Sequence, residues 1–169
     1  MATVRGAVRD YQKYAITLAV FAAALYAALI VAGLGVVSLL TNTDVIVDPL
    51  AGPLVGPSMV LAAAVFVTFR MVLIGVRTRP ERQRVMLGYA LVTGIASGAL
   101  FIVVGGVLYL LGSGDLPAAT DFSAALLIGP FPLLTGIFGF IVTLLYSWLL
   151  AAHVGQGGRP LWPWERSGE

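Results

Sequence analysis

No charged residue interrupts the chain from Tyr14 to Leu40, from Val85 to Leu111, or from Phe122 to His153. A further apolar run, Ser58 to Val76, carries one charge, Arg70. Runs of this length fit badly in a core surrounded by water. Roughly 20 apolar residues cross a ~30 Å hydrocarbon layer as a helix, and a helix satisfies all its backbone polar groups internally, as lipid demands. Composition agrees: 59% of the 169 residues are hydrophobic and 11% charged, against about 25% charge in soluble domains. The chain reads as an all-α membrane protein, a bundle of four transmembrane helices forming one domain over residues 1–153. The spans fall at about 14–40, 58–76, 85–111 and 132–153, and a short tail follows at 154–169.

The last apolar run is too long for one straight crossing, and it contains "GPFP", Gly129 to Pro132. Proline removes a backbone donor and clashes with the preceding turn. A break or kink is therefore expected at Gly129, Pro130 and Pro132, with a short outer piece at Ser123–Ile128 started by Asp121. The first run exceeds a signal peptide's apolar stretch, and no small-residue cleavage site follows it, so it reads as a retained anchor. Neither a glycine at position 2 nor a C-terminal cysteine is present, so the common lipid anchors are not indicated. The chain has no cysteine, which excludes disulfides and thiolate metal sites.

Four crossings put all ten basic residues on one side, with Asp10, Glu81, Glu165 and Glu169, for a balance of +6. Asp44, Asp48, Asp115 and Asp121 give the other side −4, and the two restore the formal +2. Basic flanks stay in the cytoplasm. Both termini are thus expected inside, in a multi-pass protein of the cell membrane, most naturally a bacterial plasma membrane. Arg77, Arg79, Arg82 and Arg84 act in this reading as topology determinants against anionic lipid headgroups. Trp162 and Trp164 suit the headgroup layer. The positive charge belongs to membrane flanks, so no nucleic-acid partner is expected. The bilayer itself is the expected partner, with a homo-oligomer or another membrane protein as further candidates.

A shift of 71 residues lays "DYQKY…GVVSLLTNTD" over "ERQRV…GVLYLLGSGD". Two tandem helical hairpins of like orientation would produce this; so would apolar sequence matching itself. Helices in lipid associate through small residues. Ala24, Ala28 and Ala32 on the first span and Ala90, Gly94 and Gly98 on the third recur every fourth residue, so these two faces are expected to meet at the centre.

Arg70 lies seven residues before Arg77, roughly 10 Å deeper on a helix. A long side chain near a helix end can snorkel to the headgroups without a partner. Alternatively, counting residues inward places Thr17, Tyr89, Thr93, Tyr146 and Ser147 at the same depth on the other helices. Facing inward, they would join Arg70 in a basic pocket suited to phosphate or carboxylate. Thr135, Gly139, Thr143 and Ser147, with Tyr89, Thr93 and Ser97, could line a polar seam, although such hydroxyls often bond to their own helix.

Metal-ligand spacings, phosphate loops and catalytic triads are not found, so no catalytic residue, metal site or cofactor is expected. The four outer aspartates could hold a hard cation or serve as plain caps and negative loops. Alanine, valine, glycine and arginine richness, with the tail "RPLWPWER" at Arg159–Arg166, resembles the small four-helix membrane proteins of unknown function of the actinobacterial type. That resemblance implies a fold and no activity. The expected role is a non-enzymatic accessory or assembly component; the alternative is an anion- or lipid-binding transporter or channel subunit using the pocket around Arg70.

Overall fold

The computed structural model of the chain describes residues 2–46, 48, 51–78 and 84–154, with side chains described from Asp10 to His153. Arg79, Arg82, Trp162, Trp164 and the tail lie outside the described residues. The described residues form five helices and no strand: α1 (Ala2–Thr41), α2 (Val55–Arg77), α3 (Leu87–Ser113), α4 (Leu116–Ile128) and α5 (Pro130–Val154). Four stretches are long and apolar enough to cross a membrane: Asp10–Thr41, Val55–Arg77, Leu87–Ser113 and Pro130–His153.

Local chemistry fixes the ends. Helix α3 stops at Gly114, whose φ of 68° is the left-handed cap that glycine adopts without a Cβ clash. Its N–H returns to the Leu110 carbonyl at 2.8 Å. Asp115 then caps α4 by accepting from the Ala118 N–H at 3.3 Å. The outer piece therefore begins at Leu116, not at Ser123, and Asp115 rather than Asp121 starts it. The break falls at Gly129, whose extended backbone (ψ 161°) ends α4. Pro130 opens α5, at a position where the missing N–H is no loss, and Pro132 lies in the same first turn.

Helix α1 packs on α2 and α5, and α3 packs on the same two; α2 and α5 also meet, and α4 lies mainly on α3. The interior is filled by Tyr26 and Ile30 of α1, Met59, Val67 and Met71 of α2, Phe101 and Tyr109 of α3, and Val142, Tyr146 and Leu150 of α5. The outer surface is as apolar as the interior: Phe21 is 70% and Leu39 83% exposed.

Helices α3 and α5 meet backbone to backbone. A Cβ on Gly94 would lie 2.6 Å from the Gly136 carbonyl oxygen, and one on Gly98 2.7 Å from that of Pro132. Ala90 is buried on the same helix. The expected meeting of α1 and α3 through small residues is corrected here. Ala24, Ala28 and Ala32 are exposed, and α1 turns Ala15, Ala19, Tyr26 and Ile30 inward instead. In lipid an alanine stripe gains nothing from hydrophobicity by facing in, so larger side chains that fill space can take the interior.

Candidate functional site

Arg70 sits on α2, half-buried at the edge of the face that turns Val67, Met71 and Ile74 inward. Its guanidinium lies over the Tyr89 ring, 3.9 Å from the centroid. Its Nε–H donates to Thr93 Oγ1 at 3.4 Å. The Tyr89 hydroxyl donates back to the Arg70 carbonyl at 3.3 Å, and the Thr93 hydroxyl donates to the Tyr89 carbonyl at 2.8 Å. These contacts tie α2 to α3 and fix the plane of the guanidinium. The cation–π contact contributes about 0.5–2 kcal/mol, more where water is excluded.

Among the described residues no carboxylate pairs with Arg70; their ion pair, Lys13 with Asp10 at 3.9 Å, is on the surface. An arginine carries five N–H donors, and here the Nε–H is the one with a protein acceptor among the described residues. The geometry is that of a cation held in plane with its fork left over.

The structure brings Tyr89 and Thr93 to Arg70 and leaves the other three expected partners elsewhere. Thr17 faces outward from α1. The Tyr146 hydroxyl donates to the Ala15 carbonyl at 3.0 Å, locking α5 to α1. Ser147 Oγ donates to the Leu144 carbonyl at 2.9 Å and accepts the Met86 N–H at 3.4 Å. The cluster is a two-helix site at the α2–α3 boundary, because the interior at that level is already occupied by Met71, Ile74 and Tyr146.

The hydroxyl stripe lies inside the tight α3–α5 contact. Ser97 donates to the Gly94 carbonyl at 2.8 Å and Thr135 to the Phe131 carbonyl at 2.9 Å. A Cβ on Gly139 would lie 2.7 Å from Ser97 Oγ. The seam is therefore a packing surface, with the Ser97, Thr135 and Ser147 hydroxyls returned to helix carbonyls.

On the acidic side, a cavity of about 540 Å³ lies between the α1–α2 connection and α4, lined by Asp44, Asp48, Asp121, Tyr109, Phe122 and Phe131. Tyr109 donates to Asp48 Oδ2 at 2.6 Å and stacks on Phe122 with centroids 4.7 Å apart. Among the described residues no group of three or more acidic or histidine side chains gathers to hold a metal ion. The Tyr109–Asp48 bond has no sequence signal, since a loop aspartate and a tyrosine 61 positions away carry no common pattern. Nor does the stacking of His153 on Tyr14, 3.9 Å between centroids, which joins α5 to α1.

No curated protein and no solved structure matches the chain significantly. The model of a family of unknown function, DUF6121, matches residues 8–169, a range that contains all four membrane-length helices. The chain belongs to that family.

Proposed function

We propose that the protein is a non-enzymatic accessory or assembly component of the cell membrane. In this reading it is a bundle of two tandem hairpins, crosses the bilayer four times with both termini in the cytoplasm, and works by binding rather than by conversion or transport. The observation that carries the reading is the filled interior. Transporters keep a substrate site near the middle of the bilayer, built where helices are interrupted. Here that level is occupied by Tyr26, Phe101, Val67 and Val142, each fully buried, and α3 and α5 touch backbone to backbone across two glycines. The one break in a long apolar run, at Gly129, follows α4 on the acidic side, and not the middle of a crossing.

Two measurements test this. Liposomes containing the purified protein are expected to pass chloride and phosphate no faster than protein-free liposomes. Purification in mild detergent is expected to recover a membrane-protein partner in fixed ratio, and deletion of Leu161–Glu169 is expected to abolish that capture. Anion flux above background that disappears in Arg70→Leu would overturn the reading in favour of a transporter or channel subunit.

A further inference from the structure

We propose that Arg70, with Tyr89, Thr93 and Arg77, forms a site for the phosphate of an anionic lipid in the leaflet on the basic side. The site is independent of the accessory role.

The first argument is depth. Helix α2 runs toward the basic side, and the Cα–Cβ bond of a helical residue tilts toward the helix N-terminus. The Arg70 side chain thus starts out pointing away from the basic surface. A snorkelling arginine doubles back and places its head in the aqueous layer. Arg70 instead gives its Nε–H to Thr93, which lies six residues into α3 from Leu87, about 9 Å at 1.5 Å per residue. The head is held at that level, over the Tyr89 ring.

The second argument is charge. A cation held below the headgroup surface needs a counter-ion or a set of acceptors. Among the described residues no carboxylate provides one. The Tyr89 face stabilises the charge but accepts none of the N–H bonds, which lie in the guanidinium plane. What remains is a planar fork of donors, the shape that takes two phosphate oxygens side by side. Arg77, two turns nearer the basic surface, adds a second positive charge along the approach.

The third argument is what surrounds the fork. Phe69 beside Arg70 and Val92 beside Thr93 are 59% and 56% exposed, so the α2–α3 boundary is apolar on its outer side. A phosphate that arrives attached to acyl chains finds a surface for those chains; a free phosphate ion does not. This selects a lipid.

Native mass spectrometry of the full chain in mild detergent, titrated with phosphatidylglycerol and in parallel with phosphatidylcholine, tests the site. One saturable phosphatidylglycerol is expected, bound at least tenfold more tightly than phosphatidylcholine. Charge-assisted hydrogen bonds of ~1.5–3 kcal/mol correspond to roughly a 10- to 100-fold loss of that affinity in Arg70→Gln. Arg70→Lys keeps the charge and loses the fork, and is expected to lose most of the affinity too; an unchanged affinity in Arg70→Lys would mean simple snorkelling and overturn the proposal. Lys13→Gln removes an exposed cation from α1 on the same side and is expected to change affinity less than threefold. A loss equal to that of Arg70→Gln would reduce the effect to general surface charge and overturn it as well. Inorganic phosphate is expected not to compete at millimolar concentration; competition that depends on Arg70 would move the assignment from a lipid to a free anion. Thermal melting of each variant, followed by circular dichroism, verifies the fold before any loss is read.

Discussion

Among the described residues five serine and threonine side chains are fully buried, and four of them donate to a carbonyl of their own helix. Thr143 is the exception: its Oγ1 has no hydrogen-bond partner among the described residues. An orphaned buried hydroxyl costs roughly 1–3 kcal/mol, and an apolar group of the same shape removes that cost. Valine is such a group. Thr143→Val is therefore expected to raise the thermal midpoint in detergent, while Thr93→Val, which deprives Arg70 Nε of its acceptor, is expected to lower it. A lowered midpoint for Thr143→Val would mean that the hydroxyl is bonded in the folded protein. At this scale the sequence was legible in depth and illegible in direction. Counting residues from the basic flanks put Tyr89 and Thr93 level with Arg70, and they touch it. The same count put Thr17 and Tyr146 there, yet Thr17 faces out and Tyr146 reaches for Ala15. Helical phase relative to a neighbour depends on how whole helices lean together, which no count along one helix contains.

At the scale of elements, the spans could be read because length and apolarity are set by the bilayer. The break at Gly129 could be read because proline chemistry is local. Pairing could not, because lipid removes the difference in hydropathy between a face that packs and one that does not. The stripe of Ala24, Ala28 and Ala32 has the same spacing as Gly94 and Gly98, and only the glycines touch a neighbouring helix closely. Their true partner carries a weaker mark, Pro132 and Gly136 at four-residue spacing on α5. The consequence is testable. A Cβ at position 94 meets the Gly136 carbonyl and, at 2.9 Å, the Phe140 Cβ, neither of which is a flexible side-chain end. Gly94→Val is expected to push α5 away and lower stability by about 1–3 kcal/mol. Gly112→Ala, where a Cβ meets nothing within 4 Å, is expected to be neutral or to gain up to ~1 kcal/mol from helix propensity. Denaturant titration in mixed micelles, read by circular dichroism, separates the two; equal behaviour of the variants would mean that the α3–α5 seam does not carry the fold.

For the whole molecule, the strongest statement concerns which end of each helix faces which compartment, and it rests on charge alone. Helices α1, α2, α3 and α5 can cross a membrane by length and composition, and these properties are the same in either orientation. The asymmetry comes from the sequence: every lysine and arginine lies at or, for Arg70, nearer one end of the apolar runs, and the loops at the other end carry only aspartates as charged residues. Moving arginine heads across hydrocarbon is costly, and the negative surface potential of the cytoplasmic leaflet attracts basic flanks at about 1 kcal/mol each. In the orientation proposed above, the Arg70 site lies in the inner leaflet and the cavity around Asp44 and Asp48 faces out. Because the chain has no cysteine, single thiols report this cleanly. Thr43→Cys, at an exposed position on the acidic side, is expected to react with a membrane-impermeant maleimide on intact cells. Ser167→Cys, in the basic tail, is expected to react only after the membrane is opened. Protection of Thr43→Cys with ready labelling of Ser167→Cys would invert the molecule. It would place the arginine fork against the outer leaflet and leave the basic flanks without the lipid charge that orients them.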